Sequence, residues 1–177
     1  MSQWFEGSVK DEDNTKEFLA AIKKVSGKEI RAGILGKVDS NLELIASANE
    51  FGATIKSEKA RKWLFAKMRE LKIVPQKKGS SDGLIHIPER AAIRKAFDKG
   101  SNISEVFEAG QKVFEKTDDI KKAINAMGST MVAKIQESYL SNIQPSNHPL
   151  TIALKDGKDK TLVNTGRLQQ AVSYEVV

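Results

Sequence analysis

Asp118, Asp119 and Glu89, with the two histidines His86 and His148, are the side chains best suited by type to acid–base or metal chemistry. Adjacent carboxylates such as Asp118–Asp119, joined by Glu89, could hold a divalent cation in a metal-dependent nuclease. Their sign and position also suit the positive end of a helix dipole, which calls for no catalysis. His86 lies in the apolar run Leu84–Ile–His–Ile87, and His148 lies between Asn147 and Pro149. Two separated histidines in a chain without cysteine cannot complete a zinc site unless carboxylates join them. Gly33–Ile–Leu–Gly36 lacks the Lys-Ser/Thr step of a phosphate loop and the third glycine of a dinucleotide fingerprint. No Gly-x-Ser-x-Gly elbow is present. No cofactor and no small-molecule substrate is expected.

A second kind of chemistry is electrostatic. The net charge is +6, and Lys56 to Lys78 holds most of the local excess: Lys56, Lys59, Arg61, Lys62, Lys67, Arg69, Lys72, Lys77 and Lys78, against Glu58 and Glu70. Trp63 and Phe65 interleave with these cations, as a base-stacking platform requires. Leu64, Met68 and Leu71 also form a plain amphipathic stripe, so a solvated helix face, an acidic protein partner and direct DNA contact are all readings of this stretch. Glu50, beside Phe51–Gly52, is either a buried acceptor for an arginine or a solvated carboxylate at a helix end. Glu89–Arg90 reads as first-turn helix chemistry.

The elements that carry these residues follow from periodicity and punctuation. Trp4–Val9 is expected as a short strand. Asn14 and Glu17 have capping-box spacing ahead of a helix with Phe18, Ile22 and Val25 on one face, closed by Gly27. Ile30–Leu35 alternates as a strand. Ser40 and Glu43 repeat the capping box, and Leu44, Ile45, Ala48 and Phe51 form a stripe stopping at Gly52. A helix starting at Ser57 opens an excursion, about residues 56–83, whose loop Pro75–Gly83 is small, polar and rich in breakers. Leu84–Ile87 is a short strand, and Pro88 opens a helix to Asp98. Asn102 and Glu105 give a third capping box, with Ile103, Phe107, Gly110 and Phe114 inward.

Ile120, Ile124, Met127, Met131, Ile135 and Tyr139 step by three and four, a long amphipathic helix over about 118–143. From Pro149 to Val163 a hairpin competes with a short helix from Leu150. Thr165 caps a turn through Gln170, and Val172, Tyr174 and Val176 alternate in a closing strand. The expected architecture is α+β, one domain over 1–177, with a small, mostly antiparallel sheet against the long helix. Hydrophobic residues are 40% and charged residues 29%, ordinary for a chain with a real core, and at 6% aromatic that core is mainly aliphatic. The absence of cysteine excludes disulfides and thiolate metal sites. Met1–Ser–Gln–Trp–Phe–Glu has no basic region ahead of an apolar run, and no apolar run is long enough to span a bilayer, so a cytosolic product is expected.

Three segments together resemble a known family. Ile45–Ala–Ser–Ala–Asn–Glu–Phe–Gly52 resembles the Ala-x-x-Asn-Glu-Phe-Gly block of tailed-phage neck and tail-completion proteins. Ile87–Pro–Glu–Arg90, with Ile93–Arg94, is similar to their Ile-Pro-x-Arg-x-x-Ile/Leu-Arg block, with Ala92 where an aromatic is common. Leu162–Val–Asn–Thr–Gly–Arg–Leu168 and Val172–Ser–Tyr–Glu–Val176 resemble their closing block, Ala171 departing from its usual small polar residue. The blocks stand in family order. The resemblance implies a non-catalytic virion protein, a neck or tail-completion subunit in a ring, expected as a hexamer. Its implied neighbours are connector, tail-terminator and tail-tube proteins, with genomic DNA in the lumen. It implies the virion neck as location, after assembly in the host cytoplasm. A tail terminator is the near alternative, and a nucleic-acid-binding module using 56–78 the distant one. Trp4, Glu50, Lys62, Trp63, Arg69, Arg90, Arg167 and Tyr174 are the candidate subunit or partner contacts.

Overall fold

The structure is a computed structural model, and it describes residues 15–25, 27–35, 39–74, 83–98 and 100–177. The strand expected at Trp4–Val9, the cap at Asn14 and the loop Lys77–Asp82 lie outside the described residues.

The architecture is α+β. Helix α1 (Thr15–Lys24) leads to strand β1 (Ile30–Ile34), and helix α2 (Ser40–Phe51) leads to strand β2 (Ala53–Ile55). Helix α3 (Glu58–Glu70) precedes strand β3 (Ile85–Ile87) and the single-turn helix α4 (Ala92–Lys95). Helices α5 (Gly100–Thr117) and α6 (Ile120–Leu140) form an antiparallel-style pair across a two-residue joint. Helix α7 (Pro149–Leu154), helix α8 (Arg167–Gln170) and strand β4 (Val172–Val176) complete the chain. Strand β4 pairs antiparallel with β1, Ile30 opposite Val176 and Ile34 opposite Val172. Strand β3 pairs antiparallel with β2, Ala53 opposite Ile87 and Ile55 opposite Ile85.

Helix α6 is the spine of the core. Its first half packs Ala123 and Met127 with Phe18, Val106 and Phe114. Its second half packs Ile135 and Tyr139 with Leu42, Ala46, Ala92, Leu168 and Val172. The β1–β4 ribbon lies directly on it. Gly128 makes that approach possible, because a Cβ there would overlap the Tyr174 ring of β4. Among the described residues no helix is long and apolar enough to cross a membrane.

Several local expectations are corrected. Asp39, not Ser40, caps α2, its carboxylate accepting the Asn41 N–H at 3.0 Å. The inner face of α2 is Leu42, Ala46 and Glu50, while Leu44, Ile45 and Phe51 are exposed. Leu42, Ala46 and Glu50 step by four and share one face of α2, so the buried stripe ends in a glutamate. Pro88 does not open a helix: the backbone stays non-helical through Ala91. Helix α5 starts at Gly100 rather than at Asn102, whose amide instead donates to the Ala96 carbonyl. In α5, Val106 takes the inner place with Gly110 and Phe114, and Ile103 and Phe107 stay exposed. Helix α6 spans 120–140, with Asp119 as its cap and Ser141 at its end. Between Pro149 and Val163 the short helix, α7, prevails over the hairpin. Gly166, left-handed at φ 79°, occupies the cap position expected of Thr165. Strand β2 was not foreseen.

Candidate interaction site

Glu50 stands at the last turn of α2, buried at 6% exposure. Its carboxylate accepts the backbone N–H of Ile93 at 3.1 Å and of Arg94 at 2.9 Å. These are the donors that open α4, which has no side-chain cap of its own. A carboxylate from another helix therefore satisfies them, with a favourable dipole sign. Arg94 closes the arrangement. Its Nε donates to Glu50 at 3.2 Å, and Nη2 donates to the Glu50 carbonyl at 2.6 Å and to Glu89 at 2.8 Å. The guanidinium stacks over the Phe51 ring, 5.0 Å from its centroid. Loss of water works against the Arg94 charge, but Glu50 and Glu89 outweigh it and hold its pKa above the usual arginine value.

Arg90 is buried, and its surroundings are different. Its backbone N–H donates to the Asn49 carbonyl at 2.7 Å, which joins the end of α2 to this segment. Its Nε and Nη2 donate to the carbonyls of Pro145, at 2.7 Å, and Ser146, at 3.0 Å. The Gln144–Pro145 bond in that loop is cis. Burial pushes the Arg90 pKa down, and among the described residues no carboxylate opposes it. Lys155, buried after α7, has its pKa lowered by the same loss of water and by the nearby Arg90 charge, and its Nζ donates to the Lys160 carbonyl.

A pocket of ≈ 320 Å³ opens beside Arg90. Leu42, Ile45 and Asn49 of α2 line it together with Leu162, Asn164, Gly166, Arg167 and Leu168. Arg167 donates to Asp39 at 3.2 Å across this rim. The Asn41 N–H, and then Arg167, hold the Asp39 carboxyl below its ordinary pKa.

The eight candidate contact residues thus separate. Glu50, Arg90 and Arg167 gather around α2. Tyr174 lies against Gly128 of α6, its hydroxyl 3.5 Å from Asn125 Oδ1. Lys62, Trp63 and Arg69 are exposed on α3, Lys62 paired with Glu58 at 2.8 Å. Trp4 lies outside the described residues. Arg167 is an intrachain ion-pair donor, and Glu50 is the buried acceptor rather than a solvated carboxylate.

Helix α3 buries none of its residues, and Trp63 and Phe65 are about half exposed on it. Ser57 caps it, accepting the Ala60 N–H at 3.2 Å. Strand β2 of the β2–β3 ribbon leads into α3 across Lys56 and Ser57.

Asp119, Glu89, His148 and His86 have structural partners. Asp119 accepts the N–H groups of Lys121 and Lys122. Glu89 pairs with Arg94 rather than serving a first helical turn. His148 Nδ1 accepts the Leu150 N–H at the start of α7, and His86 faces Thr54 across the β2–β3 ribbon. Among the described residues no group of three or more His, Asp or Glu side chains is placed to hold a metal ion. Sequence reasoning did not foresee the burial of Lys155 or of Thr161, whose hydroxyl and N–H turn to Asn142.

Comparison with protein-family models, with curated proteins and with solved structures finds no match.

Proposed function

We propose that this chain is a structural virion protein of a tailed phage or prophage, a ring-forming neck or tail-completion subunit that joins the tail to the head connector. The observation that carries the reading is the meeting of the three family-like segments, distant in sequence, at one place. Asn49 and Glu50 of the first bond to Arg90, Ile93 and Arg94 of the second. Leu162, Asn164 and Leu168 of the third line the same pocket as Ile45 and Asn49 of the first and Arg90 of the second. Similar residues that lie far apart but share contacts point to a common framework more strongly than any one motif.

The projecting helix α3 supports the same reading. A ring subunit must present different surfaces to its two neighbours, so that each contact is head-to-tail. An arm carrying cations and half-exposed aromatics, built on a short ribbon, suits a contact outside its own core. Its charge suits an acidic neighbour or the DNA passing through the neck. The role requires no catalysis. Its place is the neck of the finished particle, reached from the host cytoplasm.

Particles assembled without this protein, viewed by negative-stain electron microscopy, should show filled heads and tails apart. Intact, infectious particles would sink the proposal. Overlong tail tubes in the same preparation would instead assign the tail-terminator role.

A further inference from the structure

Arg90 is a buried cation, and among the described residues no carboxylate pairs with it. Its two hydrogen bonds go to backbone carbonyls, and the guanidinium fork has more donors than these bonds use. A second buried cation, Lys155, feels the Arg90 charge; Asp159 offsets it at Lys155, and no such offset acts on Arg90 among the described residues. Burying like charges together is costly unless an anion joins them. Arg94, by contrast, is set between Glu50 and Glu89, and Lys134 between Glu105 and Glu137. The uncompensated charge occurs at the wall of a pocket, with Arg167 on its rim.

The rest of the lining indicates the class of anion. Leu42, Ile45 and Leu168 are aliphatic, while Asn49, Asn147 and Asn164 offer amides that donate and accept. A bare phosphate would leave the aliphatic wall unmatched. A short peptide uses all three features: an acid on the arginines, an apolar side chain on the leucines, and main-chain groups on the amides. At ≈ 320 Å³ the pocket is at the small end of ligand sites, enough for a side chain and its flanking backbone rather than a folded domain.

We propose that the pocket between α2 and the 162–168 segment binds an acidic peptide segment of a partner protein, anchored through its carboxylate on Arg90 and Arg167. Arg90 supplies the buried, desolvated anchor. Arg167 supplies a second donor group at the rim, sharing itself between Asp39 and the incoming acid. This site is independent of whether the chain is a phage ring subunit.

The probe is acetyl-Leu-Glu-Leu-amide, titrated calorimetrically into the full chain beside its Gln counterpart, inorganic phosphate and a single-stranded oligonucleotide. The Glu peptide should bind, more weakly as salt is raised, and at least about tenfold tighter than the Gln peptide. Arg90→Gln should weaken it by at least about tenfold, and Arg167→Gln by less, while Lys62→Gln on the arm leaves it unchanged. Equal binding of the two peptides, or no binding, overturns the proposal. So does loss of binding in Lys62→Gln with retention in Arg90→Gln, which would place the acid on the arm. Displacement of the peptide by phosphate or oligonucleotide from the arginines would reassign the pocket to nucleic acid. If Arg90→Gln fails to fold, Arg167→Gln decides, since its exposed pair with Asp39 is not part of the core: unchanged affinity there overturns the proposal.

Discussion

The Glu50 carboxylate of α2 caps α4 through Arg94: one oxygen accepts the Arg94 N–H at 2.9 Å and the Arg94 Nε at 3.2 Å. One buried acid thus ends one helix, starts another and fixes the arginine that covers both. Replacing Glu50 with Ala leaves two helix-opening donors without their acceptor, and should cost about 2–4 kcal/mol in urea denaturation. Glu50→Gln keeps one acceptor oxygen and should cost about half as much. Equal stability of Glu50→Ala and the native chain would refute the capping role.

Two glycines in close helix contacts should respond differently to alanine. At Gly110 the added methyl meets Met127 Cγ at 2.6 Å, a flexible side chain, and Phe18 at 3.1 Å. At Gly128 it overlaps the Tyr174 ring, which the β1–β4 ribbon holds in place. Each change gains about 1 kcal/mol of helix propensity. Overpacking costs about 1–3 kcal/mol, so Gly128→Ala should be clearly destabilised and Gly110→Ala less so. Thermal midpoints of the two variants measure the order.

The arm should be separable from the core. Ile55 and Ile85 are opposed in an antiparallel pair, the geometry that a two-residue Asn-Gly turn closes. Replacing residues 56–84 by Asn-Gly removes α3, which contributes no buried residue. The thermal midpoint should move by less than about 5 °C, and far-ultraviolet circular dichroism should lose the signal of α3 while a cooperative transition remains. A collapse of the cooperative transition would show that the arm is part of the core.

Acid stability should depend on two helix caps. The Asn41 N–H and then Arg167 lower the Asp39 pKa, and the Lys122 N–H is the leading cause for Asp119. Folded values below the unfolded value of 3.8 mean that the caps stabilise fully above that pH. The contribution is lost as pH falls from there through the depressed folded values. Urea midpoints of the double variant Asp39→Asn, Asp119→Asn should therefore fall less steeply below about pH 4 than those of the native chain.

Alkaline pH should expose a different group. Burial, and then the Glu50 charge, raise the Tyr139 pKa from 10.0 to about 12. A raised folded value means that stability is complete below the unfolded value and is lost as pH rises toward the folded one. Ultraviolet titration should show Tyr139 ionising near the higher value, with unfolding promoted above about pH 10. Tyr139→Phe should remove that alkaline weakening, and an unchanged slope would refute its origin in Tyr139.

What was legible in the chain was what acts over a few residues. The long helix α6, the glycine stops at Gly27 and Gly52, the Ser57 cap and the alternating strand β4 all follow from short-range spacing. Glu50 as an acceptor for an arginine was one of two open alternatives, and packing decided between them. Strand β2 was missed because three residues beside a helix end carry almost no period, and it exists by pairing with β3 across the arm.

The sequence by itself determined the class of fold, the main helices and the presence of a basic excursion, because caps, breakers and hydrophobic period are local. Tertiary structure alone decided which stripe of α2 faces inward, since two stripes fit and only contact with α4 makes a buried glutamate favourable. It also decided that Arg90 would be held by the carbonyls of Pro145 and Ser146 rather than by an acid. Those partners lie more than forty residues from the side chains they satisfy, and at that range a partner is chosen by how helices pack, not by spacing along the chain.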